Sequence, residues 1–300
     1  MNEKRKFPRK LLWIPAAALA LALLLFAPKL ADKLLPDGGE SADTQESTEN
    51  LLQVHFIDVG QADCILLTCG GETMLVDGGD WEDQDSIIAY LQLQNIQSLT
   101  YVVGTHGHAD HIGSLYDAVN AFPTGRVFFN EPYYDSYNFR ELQAAAQRQG
   151  VSIEVPQPGD TWTLGNALVT VLGPIKAHPE NLNDNSLVLR VDHGDRSLLL
   201  TGDMEWLEEQ DLYQSGANLQ ADLLKVGHHG SQTSTSYVLL SKVQPQYAVI
   251  SCGRDNEYGH PHEGPVARLA NINATIYRTD LNGHVVATSD GETWSFKTQY

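Results

Sequence analysis

Three imidazoles and a carboxylate crowd one short stretch, Thr105-His106-Gly107-His108-Ala109-Asp110-His111. Imidazole nitrogen and carboxylate oxygen are the ordinary ligands of zinc and similar divalent metals. The stretch follows an apolar run, Leu99-Thr100-Tyr101-Val102-Val103, that reads as a buried strand. It precedes residues 112–121, which read as a helix. A loop between strand and helix carries side chains into a cleft more readily than the middle of either element. A merely polar, histidine-rich loop is the alternative, but so dense a group of ligand-type residues favours a metal site.

Other apolar runs end in the same manner. Met74-Leu75-Val76 leads into Asp77-Gly78-Gly79, and Leu198-Leu199-Leu200 into Thr201-Gly202-Asp203. Leu223-Leu224-Lys225-Val226 leads into Gly227-His228-His229-Gly230-Ser231. Singly, an aspartate there can cap a helix or hold a turn, and for Asp77 that reading is as good as a functional one. Together the strand ends look like one site. His106 and His108 alternate on an extended segment and can converge on one ion; Asp110 and His111 follow as the chain turns and can reach a second. Asp203 has two oxygens and can bridge, and either His229 or His228 can complete the second ion. Two ions held close together lower the pKa of a bound water and stabilise charge on a phosphoryl or acyl oxygen.

These loops need a scaffold, and the pattern supplies one. Short strands at 51–59, 64–69 and 73–76 form a meander, followed by an amphipathic helix at 83–93. Strands at 126–129, 151–155 and 167–172, with a helix at 139–149, lead to a polar loop at 173–185. A hairpin pairs 187–191 with 197–200 through His193-Gly194-Asp195. Helices at 205–214, 234–240 and 264–269 alternate with strands at 221–226 and 247–251 before the closing strands. Meanders followed by alternating strands and helices predict an α+β fold, two packed sheets with helices outside, in one domain over 51–300.

The 300 residues carry a net charge of −19, unevenly placed. Residues 1–33 hold seven of the 19 basic and two of the 38 acidic side chains, so the remainder stands at −24. Such a surface repels polyanions, which argues against broad, non-specific nucleic-acid binding. An anionic substrate needs a local positive centre, and bound metal supplies one. Cys64, Cys69 and Cys252 are too few for a disulfide framework and read as core residues.

The basic N-terminus runs into an uncharged apolar stretch at 11–27, the short end of the range for a transmembrane helix. Basic residues on its leading side predict an anchor within 1–33 and an extracytoplasmic bulk. A cleaved signal peptide looks similar and would leave a secreted protein, but no small-x-small cleavage site follows. Residues 34–50, acidic and rich in Pro, Gly, Ser and Thr, read as a disordered linker.

His106-x-His108-x-Asp110-His111, the later Gly202-Asp203 and the final histidine pair resemble the metallo-β-lactamase fold family of binuclear hydrolases. Val59-Gly60-Gln61-Ala62-Asp63, Asn183-Asp184-Asn185-Ser186-Leu187, Lys225 to Ser231 and Tyr258-Gly259-His260-Pro261-His262 are similar to the extracellular hydrolase domain of ComEC-type competence (DNA-uptake) proteins. Phosphorylcholine esterases of the same fold share much of this pattern. The resemblance implies an αββα sandwich and two divalent ions, Zn2+ first and Mn2+ second. It implies phosphodiester hydrolysis, with nucleic acid or a cell-envelope polymer as substrate. Thioester or lactone hydrolysis, or a binding protein that keeps the fold without turnover, are the alternatives.

On this resemblance the metal ligands are His106, His108, Asp110, His111, Asp203 and His229. The catalytic candidates are Asp110, His228, His260 and His262, the last two either at the cleft rim as proton donors or phosphate ligands, or a plain turn pair flanking Pro261. Asp77, Asn183 and Ser231 are expected to support the site or meet substrate, and no protein partner is evident. Two departures stand out. Asn183 occupies the place of the family's third histidine, as in ComEC-type domains, which leaves one ion with an open position. The one candidate membrane span also cannot form an uptake channel.

Overall fold

Alternation along the first strand sets up the layers. In β1 (Leu52–Phe56), Leu52, Val54 and Phe56 enter one core while His55 faces the other way, its Nδ1 2.9 Å from the Tyr90 hydroxyl. Successive side chains of a strand point to opposite faces, so the apolar face is buried as a unit. The computed structural model describes residues 50–131 and 133–300. The anchor expected at 11–27, and the linker apart from Asn50, lie outside the described residues. Among the described residues no helix is long and apolar enough to cross a membrane.

The first sheet has the order β15 (Trp294–Thr298), β14 (Val285–Ser289), β1, β2 (Ile65–Cys69), β3 (Glu72–Val76), β4 (Leu99–Gly104), β5 (Thr124–Phe129) and β6 (Ile153–Glu154). The second runs β13 (Thr275–Arg278), β12 (Tyr247–Ile250), β11 (Leu223–Lys225), β10 (Arg196–Leu200), β9 (Val188–His193), β8 (Ala167–Gly173) and β7 (Thr161–Leu164). Phe56, Met74, Phe128, Val171, Leu189 and Leu200 fill the space between the sheets. Truncating such a residue costs about 3–5 kcal/mol for Phe→Ala.

The outer face of the first sheet is covered by α1 (Gln84–Leu93), α2 (Ala109–Ile112), α3 (Leu115–Ala121) and α4 (Tyr137–Arg148). On the second sheet, α5 (Trp206–Ser215), α6 (Tyr237–Val243) and α7 (Glu263–Asn271) do the same; a short α8 (Thr279–Asn282) follows β13. The expected αββα layering is the observed one. Two details differ. The helix read at 112–121 is two helices, because the Gly113 N–H is shared between Ala109 O (2.7 Å) and Gly79 O (3.0 Å) and Ser114 Oγ donates to Asp80 O (2.5 Å). Asp110 and His111 therefore ride on a helical turn. The other is β7, unanticipated although Trp162 and Leu164 alternate with exposed Thr161 and Thr163.

Strand direction then gathers the loops. β3, β4 and β5 are mutually parallel, as are β10, β11, β12 and β13, so their C-terminal ends meet at one edge. β9 runs against β10, which brings the turn Asn183–Asn185 to the same edge. There Leu187 N–H donates to Thr105 O at 2.9 Å, stitching sheet to sheet. The carboxyl edge of such sheets is the usual ligand crevice.

Candidate metal centre

Asp110, His111, Asp203 and His229 present ligand atoms that all lie within 4.8 Å of one another. His111 Nε2 is 3.2 Å from Asp203 Oδ1, and His229 Nε2 is 3.3 Å from Asp110 Oδ2 and 3.6 Å from Asp203 Oδ1. Each imidazole is aimed by its other nitrogen. His111 Nδ1 lies 2.8 Å from Asp77 Oδ2, and His229 Nδ1 lies 3.0 Å from Ser251 O. Those partners only accept, so both Nδ1 atoms carry protons and both Nε2 atoms point inward, the arrangement that orients metal-binding histidines.

The cluster calls for a cation. His111 Nε2, His229 Nε2 and Asp203 Oδ1 are buried atoms without a hydrogen-bond partner, a state that costs about 1–3 kcal/mol per group. Burial works against a charge on His111, but Asp203, Asp77 and Asp110 outweigh it and hold its pKa well above the ordinary imidazole range. The same carboxylates favour any positive ion at this point, so the donor set fits a divalent metal.

The set is presented from strained backbone. Asp77 (φ 59°), His228 (φ 45°) and His229 (φ 51°) all occupy the left-handed region that non-glycine residues seldom adopt. At Gly230 (φ 80°) an added Cβ would sit 2.5 Å from Pro261 Cβ, so glycine lets the His260 loop close on the His229 loop. Behind the imidazoles, Lys225 Nζ lies 2.7 Å from Asp63 Oδ2, both side chains fully enclosed. Lys225 therefore packs inside and does not line the cleft.

His106 and His108 stand beside this cluster, with His106 Nε2 3.0 Å from His108 Nδ1 and the His106 ring 4.2 Å from that of His111. No third histidine, cysteine or carboxylate among the described residues joins them in a ligand group. Asn183 sits instead beside His228, its Nδ2 3.4 Å from the imidazole Nδ1. His228 points differently from His229: its Nδ1 is 2.8 Å from Glu205 Oε1, and its Nε2 is 3.7 Å from Asp203 Oδ2. Burial raises the Glu205 pKa, but hydrogen bonds from His228, Thr233 and Asn181 bring it down to about 2.

Residues 57–254 match the Metallo-beta-lactamase superfamily. The chain belongs to that superfamily. This metallo-beta-lactamase-fold protein is 31% identical over 252 residues to ComE operon protein 3 of Bacillus subtilis, covering 78% of this chain and 32% of that protein. It is 32% identical over 275 residues to competence protein ComA of Neisseria gonorrhoeae, covering 89% of this chain and 37% of that one. Recombination protein 2 of Haemophilus influenzae is 32% identical over 238 residues, 78% of this chain and 28% of that protein. The chain thus spans about a third of the length of these curated relatives. Among solved structures, the Bacillus subtilis protein YhfI superposes with a TM-score of 0.55 at 16% identity, covering 79% of this chain and all of that one. CmlA, a diiron β-hydroxylase from Streptomyces venezuelae, superposes at 0.51 with 16% identity over 80% of this chain and 54% of that one. Such likeness is one of fold alone, and a fold hosts more than one chemistry. Within this superfamily the chain is related to ComEC-type competence proteins.

A cleft of about 340 Å³ opens over the metallo-beta-lactamase centre, lined by His108, Asp110, Asp203, His228, His229 and His260, with Gln61 and Tyr258 at its rim. Gln61 Nε2 donates to His260 Nδ1 at 3.1 Å while Gln61 Oε1 accepts from Gly253 N–H, which fixes both side chains. His260 is held down to about 4, by burial first and then by His228, His229 and His262. His262 does not line the cleft; its Nδ1 accepts from Gln232 N–H at 3.0 Å. Ser231 acts indirectly, its Oγ 2.9 Å from Thr233 Oγ1, which donates to Glu205. Asp63 and Glu205 carry no distinguishing signal in the sequence: Asp63 closes the Val59-Gly60-Gln61-Ala62-Asp63 motif, and Glu205 reads as the first residue of the helix at 205–214.

Proposed function

We propose that the chain is a membrane-anchored, extracytoplasmic phosphodiesterase whose hydrolase domain covers 51–300 and whose substrate class is nucleic acid. The observation that carries the reading is the convergence of Asp110, His111, Asp203 and His229 beneath an open cleft. His106 and His108, which stand beside this cluster, would hold the other ion in this reading, zinc first and manganese second. Bound there, the ions supply a nucleophilic water at neutral pH and stabilise negative charge on phosphoryl oxygens.

The protein's own residues do the rest. Glu205 holds His228 through Nδ1, which leaves Nε2 facing the cleft to pass a proton to the leaving oxygen. Among the described residues neither lysine nor arginine lines the cleft, so His228 and His260 are the side chains that would meet the substrate's anionic oxygens. Kinship with competence and recombination proteins supports nucleic acid. The strongly acidic remainder of the chain favours the second reading, an envelope polymer.

The test offers the full chain, loaded with zinc or manganese, linear DNA, bis(p-nitrophenyl) phosphate, a phosphorylcholine-bearing polymer and a thioester. Metal-dependent cleavage of DNA and of the diester, lost at least about 100-fold in His108→Ala, is the expected result. Cleavage of the thioester alone, or no turnover by metal-replete protein, would overturn the proposal. The anchor at 11–27 is tested separately, by sedimentation of the chain with membranes and its loss on deleting residues 1–33.

A further inference from the structure

We infer that the protein holds another divalent cation at His178, Glu208 and Asp211, apart from the cleft. The three present ligand atoms within 4.8 Å of one another. His178 Nε2 lies 3.2 Å from Glu208 Oε2 and 3.1 Å from Asp211 Oδ2. None of the three lines the cleft over the catalytic centre. His178 sits in the 173–185 loop and both carboxylates on α5, so the loop is drawn onto the helix that follows Asp203.

The arrangement is unbalanced without a cation. Glu208 is fully buried, His178 is nine-tenths buried and the Asp211 side chain is 15% exposed. Glu208 Oε1 already accepts from Ile175 N–H at 2.8 Å, which leaves Oε2 to this cluster. Asp211 Oδ2 is a buried oxygen with no aligned hydrogen-bond donor, its neighbour being His178 Nε2 at 3.1 Å. One imidazole nitrogen has at most one proton to offer two carboxylate oxygens. Lys176 Nζ neutralises little of this, since it meets the other oxygen, Asp211 Oδ1, from a 62% exposed position.

One nitrogen and two carboxylate oxygens suit zinc or manganese, with water filling the remaining positions. The consequence reaches the cleft through hydrogen bonds. His178 N–H and O are both bonded to the Asn185 side chain, at 2.7 and 2.9 Å, and Asn181 and Asn183 from the same loop donate to Glu205. Asp184 Oδ1 accepts from the N–H groups of Glu205 and Glu208. The cation thereby fixes the loop that positions Glu205 against His228.

The test uses crystals of the full chain soaked with zinc, with diffraction collected on both sides of the zinc edge. The expected result is an anomalous peak within about 2.0–2.2 Å of the His178, Glu208 and Asp211 ligand atoms. It persists in Asp203→Asn and vanishes in Asp211→Asn, whose metal content falls by one ion per chain. Peaks at the Asp203 centre with none at His178 would overturn the inference and leave the catalytic reading standing. A peak at His178 with none at Asp203 would do the reverse. Should Asp211→Asn fail to fold, the wild-type crystal alone decides.

Discussion

His228 Nδ1 and Glu205 Oε1 stand 2.8 Å apart, and a carboxylate thereby fixes the imidazole that faces the cleft. Glu205 is itself held by Thr233 Oγ1 at 2.6 Å and Asn181 Nδ2 at 2.8 Å. His229, one residue on, is turned by a backbone carbonyl instead. Two adjacent histidines thus point to different places, His229 into the cluster of Asp110, His111 and Asp203 and His228 toward the cleft, and in the proposed function they take different tasks. Glu205→Gln keeps the shape and loses the charge. Turnover is expected to fall about 10–100-fold with the ion count unchanged, read from kcat and metal analysis on the same sample; unchanged kcat would remove Glu205 from the mechanism.

Asp77 serves His111 in the same way, while accepting from Thr105 N–H and Oγ1 at 2.8 Å each. Asp77→Asn tolerates the left-handed backbone, because asparagine adopts it readily. The neutral amide holds the imidazole less firmly, so metal affinity is expected to drop about 10–100-fold with the fold retained. Competition with a chelator followed by circular dichroism checks both halves.

Gly230→Ala tests the junction of the two histidine loops. The new methyl meets Pro261 in a region of positive φ, so a loss of about 1–3 kcal/mol is expected in urea unfolding. Turnover should fall as well, since His229 and His260 flank that contact.

The metal-free protein should weaken in mild acid through a group outside the ligand cluster. Burial first, and His284 second, hold His55 down to about 4, against 6.5 for a free imidazole. The unfolded chain therefore binds a proton that the folded one refuses. Stability from this group is present above pH 6.5 and is lost as the pH falls through 4, by on the order of 3 kcal/mol. Denaturant midpoints measured in chelator between pH 7 and 4 should slope accordingly, and His55→Gln should flatten the slope.

Much of this was legible in the residues. The run from His106 to His111 announces ligands, and apolar strands ending in Asp77, Asp203 and His229 announce a shared edge, because parallel strands deliver their ends together. What sequence could not pair were contacts across long separations, such as Asp77 with His111 or Glu205 with His228, which only the packing of two sheets brings within hydrogen-bond reach. His228 and His229 were interchangeable as letters; their left-handed backbone and their differing partners tell them apart. The helix break at Gly113 was hidden because it arises from a competing carbonyl, Gly79 O, in a distant loop.

In the proposed function, turnover and bound metal share one centre. Full chain stripped by chelator is titrated with manganese while bis(p-nitrophenyl) phosphate hydrolysis and bound ions are followed together. The predicted result is hydrolysis that is absent in chelator, rises with added metal, and stays absent in Asp203→Ala. Hydrolysis that survives in chelator, or that Asp203→Ala leaves intact, would contradict it.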